Sequence, residues 1–221
     1  MAMKLVLEEE FGIQIFERSD IFLTTKIPTA VKDYQKTKLA INDALDRFSL
    51  DYIDLLLIHS PQSWIEVNRT SNRYFEGNLE NWRAMEEAVK AGKVRAIGVS
   101  NFLNEYLKNI ITNGTMMPAV NQINVNIGNT PKKLIQYCQG NGILVEAYSP
   151  LAHGTLLNNS IIFKYAAKYR VSAAQLMLRY AIQLGCIILP KTTKINEMKE
   201  NLSLDFEISQ DDMNDLEKIK L

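Results

Sequence analysis

The 221-residue sequence is poor in histidine and cysteine, with only two of each. Cys138 and Cys186 lie far apart and form no CxxC or Cys/His spacing, which argues against a zinc site and against a disulfide framework. No apolar run approaches the ~20 residues of a membrane-spanning helix. The N-terminal segment Met1–Glu10 carries three acidic residues, Glu8 to Glu10, where a secretory signal would be apolar. We therefore expect a cytoplasmic protein that binds no metal and crosses no membrane.

An excess of charge of either sign is also missing, because 25 lysine and arginine residues balance 25 aspartate and glutamate residues. Without a basic field, neither nucleic acid nor anionic lipid is favoured as a partner. No GxGxxG segment follows any apolar run, which counts against the dinucleotide-binding open sheet. The content of hydrophobic residues (47%) and charged residues (23%) is that of a globular protein. We expect residues 1–221 to form a single domain.

The strongest pattern in the chain is the apolar run Ile53–Ile58, which is followed directly by His59. Such a run between helical segments is typical of a strand buried on both faces. A second run, Asp20–Lys26, ends in a lysine in the same way. Ligands bind at the carboxyl ends of strands in parallel α/β proteins, so we expect Lys26 and His59 to lie together. Taken singly, each residue also has a purely structural interpretation. Lys26 is then a solvated surface lysine, and His59 is a histidine packed in the core.

Apolar runs alternate with segments of helical spacing along the whole chain, which predicts an α/β fold with a parallel sheet and favours a barrel. The expected strands are Ile21–Lys26, Ile53–Ile58, Ala96–Asn101, Ala119–Asn124, Leu144–Tyr148 and Ile187–Leu189. The expected helices are Ala2–Phe11, Asp33–Phe48, Asn78–Ala91, Glu105–Ile111, Pro131–Gln139, Ile161–Tyr169, Ala173–Gln183, Ile195–Asn201 and Asp211–Ile219. An aromatic loop, Pro61–Gly77, is expected to be either a substrate wall or a packed surface loop.

Six motifs, spread over essentially the whole chain, resemble one family. They are Leu56-Leu-Ile-His-Ser-Pro61, Trp82-Arg-Ala-Met-Glu-Glu87, Gly92-Lys-Val-Arg-Ala-Ile-Gly-Val-Ser-Asn-Phe102, Val120-Asn-Gln122, Glu146-Ala-Tyr-Ser-Pro-Leu151 and Leu189-Pro-Lys-Thr192. In this order they resemble the aldo-keto reductases. The resemblance implies a (β/α)₈ TIM barrel that reduces aldehydes and ketones with NADP(H), sometimes NAD(H), bound without a Rossmann motif.

The resemblance also implies roles for single residues. Lys26 and His59 resemble the catalytic lysine and histidine of the family. The positions that resemble coenzyme contacts are Ser100, Asn101 and Gln122 at the carboxamide, Tyr148 on the nicotinamide face, Ser149 and Leu151 at the pyrophosphate, Lys191 and Thr192 at the 2′-phosphate, and Glu200 and Asn201 at the adenine. A hydrogen-bond donor such as His59 suits a substrate carbonyl oxygen, and Lys26 would lower the pKa of a neighbouring phenol.

Two departures from the family pattern shape our expectations. Glu197 stands where NADP-dependent members usually carry an arginine, and a carboxylate there would repel a 2′-phosphate by on the order of a kcal/mol. The family's Asp-Thr-Ala-x-x-Tyr-Gly-Asn segment would lie upstream of Met1, and six βα units are predicted where a full barrel has eight. We therefore expect a truncated barrel without the catalytic tyrosine and aspartate. Such a barrel either self-associates through its uncovered strand edges, rearranges, or fills the gap with two other segments.

Three functions are compatible with the sequence. The first is NAD(P)H-dependent reduction of small aldehydes or ketones. The second is a catalytically inactive coenzyme-binding or interaction protein on the same scaffold. The third, a barrel glycosidase that uses Glu146, fits poorly because no second carboxylate ends a neighbouring strand. Neither the carbonyl substrate nor the choice between NADPH and NADH follows from the sequence.

Overall fold

Strands and helices alternate in the computed structural model, which describes residues 17–62, 64 and 72–219. The strands are β1 (Thr24–Ile27), β2 (Ile53–Ile58), β3 (Val94–Ser100), β4 (Val120–Asn124), β5 (Leu144–Tyr148) and β6 (Cys186–Leu189). The α-helices are α1 (Tyr34–Phe48), α2 (Phe75–Lys90), α3 (Asn104–Asn113), α4 (Lys132–Gly140), α5 (Ser160–Tyr169), α6 (Ala173–Gln183), α7 (Ile195–Leu202) and α8 (Gln210–Glu217). Short 3₁₀ turns occupy Arg18–Asp20, Asn72–Tyr74 and Ala152–Gly154.

The chain divides into two compact units, Met1–Val120 and Asn121–Leu221. In the first unit, β1 and β3 each pair with β2 in parallel. In the second unit, β5 and β6 pair in parallel, with Tyr148 opposite Leu189. The expected α/β class with parallel strands is confirmed. That residues 1–221 act as one domain, that the barrel is truncated and that it self-associates all remain predictions.

Strand β2 is the buried centre of the first unit, because all six of its side chains are buried. Its one charged residue, Asp54, accepts hydrogen bonds from the Leu23 N–H at 2.9 Å and pairs with Arg18 at 2.7 Å and Arg95 at 3.0 Å. Burial alone would raise the pKa of Asp54, but these donors lower it below its usual range. The carboxylate therefore stays ionised. It fixes the start of β2 to the segment before β1, through Arg18 and Leu23, and to β3, through Arg95.

Buried asparagine side chains of helix α2 hold the loops at the carboxyl ends of β1 and β2. The Asn78 Nδ2 donates to the Pro61 carbonyl at 2.9 Å, and the Asn81 Nδ2 donates to the Val31 carbonyl at 2.8 Å. Loop carbonyls that are buried without a partner would destabilise the fold. The two asparagines therefore fix the loops that follow β1 and β2.

Two of the expected boundaries are wrong by three residues, several others are wrong by one or two, and the expected helix Ala2–Phe11 lies outside the described residues. The first strand begins at Thr24 instead of Ile21, because Ile21 closes a 3₁₀ turn and Leu23 donates to a side chain. The expected loop Pro61–Gly77 ends early, since α2 already begins at Phe75. A contact 34 residues away in sequence accompanies this start, because the Phe75 carbonyl accepts a hydrogen bond from the Asn109 side chain of α3 at 3.1 Å.

The middle of β3 tolerates only glycine, which gives a test of the packing. A Cβ at Gly98 would come within 2.6 Å of the Val120 carbonyl oxygen and 2.8 Å of the Leu57 Cδ2. We expect Gly98→Ala to lower the free energy of unfolding by about 1–3 kcal/mol, because the backbone must shift to relieve these contacts. Urea unfolding followed by circular dichroism measures the change.

The matched control is Gly140→Ala at the end of α4, where an added Cβ meets no atom within 4 Å. This variant should unfold at the same urea concentration as the wild type or slightly above it. Equal unfolding midpoints for Gly98→Ala and Gly140→Ala would contradict the packing described for β3.

Candidate active site

Lys26 and His59 lie at the carboxyl ends of adjacent strands in the first unit. Lys26 is opposite Leu57 in the β1–β2 pairing, and the His59 N–H continues that ladder by donating to the Ile27 carbonyl at 3.2 Å. Burial of the imidazole, and next the positive charge of Lys26, lower the pKa of His59 below its usual value. The imidazole is therefore neutral at neutral pH and can donate one ring N–H to a ligand.

An indole ring packs against this histidine. The ring centroids of His59 and Trp64 are 5.0 Å apart, and the planes meet edge-on at 85°. Trp64 is itself half-exposed, so it shields the imidazole from one direction. Of the three aromatic residues expected to form a substrate wall, Phe75 belongs instead to α2 and packs against Tyr106. Trp64 is the residue that the structure brings next to His59.

Asn101 ties the end of β3 to the end of β2. Its Nδ2 donates to the His59 carbonyl and to the Ser100 Oγ, both at 3.1 Å. Its backbone has a φ of 60°, a left-handed conformation that asparagine tolerates better than most residues. Ser100 is buried. The structure thus brings together Lys26, His59, Ser100 and Asn101, four of the residues predicted from the sequence.

A second lysine in this unit was missed by the sequence analysis. The Lys32 Nζ donates to the Ser60 carbonyl at 2.7 Å, and burial lowers the pKa of Lys32 to about 8. Lys32 also packs against α2, since a Cβ on Gly77 would come within 2.8 Å of the Lys32 Cβ and 3.1 Å of its carbonyl oxygen. Lys32 therefore fixes the residue that follows His59. A lone lysine in a loop carries no sequence pattern by which this role could have been found.

In the second unit, the end of β4 presents an oriented amide. The Gln122 Nε2 donates to the Glu146 Oε2 at 2.7 Å, and both side chains are buried. The Glu146 carboxylate therefore orients Gln122, which argues against the glycosidase alternative. Tyr148, two residues further along β5, is partly buried, and burial raises the pKa of its hydroxyl above the usual value. Its phenol is therefore neutral at neutral pH.

The loop after β5 is strained. Positive φ angles occur at Ser149 (50°), Ala152 (48°), His153 (53°) and Gly154 (84°). For a non-glycine residue this conformation costs on the order of 1 kcal/mol or more. Strain of this kind concentrates at ligand-binding loops, and turns that include left-handed residues can direct backbone N–H groups towards an anion.

A cavity in the second unit is bounded by this loop and by the residues after β6. Its lining includes Ser149, Leu151, His153, Lys191 and Glu197. The Ser149 Oγ and the His153 Nε2 lie 3.2 Å apart within hydrogen-bond range. Three residues expected at the coenzyme phosphates, Ser149, Leu151 and Lys191, thus line one cavity. His153 was not predicted as a site residue, because it lies outside the six motifs, the nearest of which ends at Leu151.

The start of α7 places a carboxylate beside the same cavity. The Thr192 Oγ1 donates to the Glu197 Oε2 at 2.5 Å, and the Lys194 Nζ lies 2.8 Å from the Glu197 Oε1. Asn201, one turn further along, is buried, and the Glu200 carbonyl accepts a hydrogen bond from Gln175 at 3.3 Å. The adenine-contact roles expected for Glu200 and Asn201 remain predictions.

Among the described residues, no group of three or more His, Cys, Asp and Glu side chains is placed to hold a metal ion. No helix in the described part of the chain is both long enough and apolar enough to span a bilayer.

Comparison with known proteins identifies close relatives. A sequence profile of the Aldo/keto reductase family matches residues 6–221. The uncharacterized oxidoreductase YtbE of Bacillus subtilis is 41% identical, over 96% of this chain and 70% of its own length. The glyoxal reductase of the same organism is 38% identical, over 96% of this chain and 74% of its own length.

A solved structure shares the fold. The silkworm (Bombyx mori) aldo-keto reductase AKR2E5 in complex with NADPH superposes with a TM-score of 0.84 at 33% identity, covering 99% of this chain and 70% of its own. The expected aldo-keto reductase fold is confirmed. The NADPH complex also agrees with the expected coenzyme class, NADP(H) or NAD(H).

The neutral state of His59 can be tested by titration, because the chain contains only two histidines. We expect the pKa of His59 to lie below its usual value and to rise in Lys26→Met, since that change removes the nearby positive charge and leaves the burial in place. NMR titration of the imidazole protons measures both values, and His153→Gln assigns the signals.

Lys36→Met is the matched control, because it removes an equal charge from an exposed position on α1. It should leave the pKa of His59 unchanged. An identical pKa of His59 in the wild type and in Lys26→Met would show that the two side chains do not interact.

Proposed function

The chain belongs to the aldo/keto reductase family, and we propose that it reduces small aldehydes and ketones to alcohols with NAD(P)H as the hydride donor. One observation carries the proposal. Lys26 and His59 lie at the ends of adjacent parallel strands, close enough for the lysine charge to lower the pKa of the imidazole. A cationic group beside a neutral N–H donor suits a carbonyl oxygen that gains negative charge.

The residues of the second unit fit a dinucleotide. Lys191 supplies positive charge to the cavity, and the strained loop from Ser149 to Gly154 supplies backbone donors for phosphate oxygens. The neutral ring of Tyr148 suits an aromatic base, which prefers to stack on an apolar face. Gln122, oriented by Glu146, suits an amide group. When bound, the reduced nicotinamide supplies the hydride.

The proposed mechanism assigns the chain's own groups to the substrate oxygen. The neutral His59 N–H donates a hydrogen bond to the carbonyl oxygen, which polarises the C=O bond before hydride transfer. Lys26 stabilises the negative charge that develops on that oxygen, and the alkoxide formed by hydride addition takes its proton from solvent water to give the alcohol. Asn101 and Lys32 act as positioning residues, because they hold the carbonyls of His59 and Ser60.

A second candidate function is coenzyme binding without turnover. It is favoured by one observation in the sequence, since none of the tyrosines of these 221 residues stands in an Asp-Thr-Ala-x-x-Tyr-Gly-Asn context. In the family pattern that tyrosine delivers the proton to the alkoxide. Under this alternative the 221-residue chain binds NADH or NADPH and consumes neither in the presence of an aldehyde.

Substrate and location complete the proposal. One relative is named a glyoxal reductase, so a small aldehyde such as glyoxal is the first substrate to try. A cytoplasmic location is supported by Cys138 and Cys186, which are buried and free and which would pose no difficulty in a reducing compartment.

Turnover of NAD(P)H with glyoxal tests the two candidates. The first predicts a steady loss of coenzyme absorbance that requires the aldehyde, and a fall in kcat of about 10²-fold or more in Lys26→Met, because a transition-state interaction is lost. Coenzyme affinity, measured by calorimetry, should change much less. The exposed-lysine variant Lys36→Met should keep full activity.

The outcomes separate the candidates. Binding of coenzyme without any turnover by the wild-type chain would support the second function. Equal activity in the wild type and in Lys26→Met would show that Lys26 has no part in the reaction.

A further inference from the structure

The hydrogen bonds of Glu197 bear on which coenzyme the cavity of the second unit accepts. We propose that Glu197 makes this cavity select NADH over NADPH. The inference rests on the proposed function, because it assumes that this cavity binds a dinucleotide. It identifies the side chain that discriminates between NADH and NADPH.

Both carboxylate oxygens of Glu197 are engaged by groups that could otherwise hold a phosphate. The Thr192 hydroxyl donates to the Oε2 at 2.5 Å, and the Lys194 ammonium lies 2.8 Å from the Oε1. The Lys194 backbone N–H donates in turn to the Thr192 Oγ1 at 3.1 Å. A phosphate could bind Thr192 or Lys194 only by displacing the Glu197 carboxylate.

The charge around Glu197 also disfavours the binding of a phosphate. The hydrogen bonds from Lys194 and Thr192 lower the pKa of Glu197, so the carboxylate is ionised at neutral pH. Glu197 offsets the charge of Lys194, and it lines the cavity together with the cation Lys191. A 2′-phosphate carries almost two negative charges near pH 7. It would meet a carboxylate of like charge, whereas an uncharged hydroxyl would not.

A carboxylate suits the alternative ligand. In dinucleotide sites, an acidic side chain accepts a hydrogen bond from the ribose 2′-hydroxyl of NAD, and cationic side chains accommodate the 2′-phosphate of NADP. Glu197 is half-exposed and lines the cavity, so one of its oxygens can exchange a partner for a ribose hydroxyl. The same residue that repels the phosphate can thus bind NADH directly.

Calorimetric titration of the 221-residue chain with NADH and with NADPH tests the inference. We expect NADH to bind at least about tenfold more tightly than NADPH to the wild type. Glu197→Gln removes the charge and keeps the shape, so the ratio of the two dissociation constants should shrink. Glu197→Arg replaces the carboxylate with a phosphate-binding group, and the preference should reverse towards NADPH.

Glu207→Gln is the matched control, because it removes an equal charge from an exposed residue of the same unit. Its ratio of dissociation constants should equal that of the wild type. Circular dichroism of each variant confirms that it is folded.

Three results would overturn the inference. The first is a wild-type chain that binds NADPH as tightly as NADH or more tightly. The second is an unchanged ratio in Glu197→Arg. If neither coenzyme binds the wild type, the proposed function fails and the inference fails with it, whereas binding of both coenzymes with equal affinity leaves the proposed function in place.

Discussion

The parallel pairing of β2 with its two neighbours is the constraint on which the first unit depends. Every side chain of β2 is buried, so the strand has no solvent face and a shift of register would place Asp54 away from Arg18 and Arg95. With the register fixed, the chain can turn only beyond Ile58. Parallel pairing then brings the ends of β1 and β2 to one edge, which is why Lys26 reaches His59.

The placement of Lys26 beside His59 at this edge determines the chemical properties of the candidate site. A lysine alone would be a solvated charge and a buried histidine alone a packing residue, but together they give a neutral N–H donor next to a cation. The supporting bonds go to main-chain carbonyls, from Asn101 to His59 and from Lys32 to Ser60. Groups held in this way need little reorganisation when a substrate oxygen becomes negative.

Features set by the local pattern could be predicted from the sequence, and features set by distant contacts could not. Both ends of the strand Ile53–Ile58 were predicted correctly, because a short, continuous apolar run is typical of a buried strand. The start of β1 was not, since it depends on Asp54 capturing the Leu23 N–H. The departure at Glu197 was visible in the sequence, but its bonds to Thr192 and Lys194 depend on side-chain placement at the start of α7.

The most direct test of the account is transfer of deuterium from coenzyme deuterated at nicotinamide C4 to glyoxal, followed by mass spectrometry of the alcohol. With deuterium at both C4 positions of the coenzyme, we expect one deuterium per product molecule on the former carbonyl carbon, delivered by the wild-type chain and greatly reduced when Lys26 or His59 is replaced. Coenzyme that binds tightly while the product carries no deuterium would contradict the claim that these strand ends form a carbonyl-reducing site.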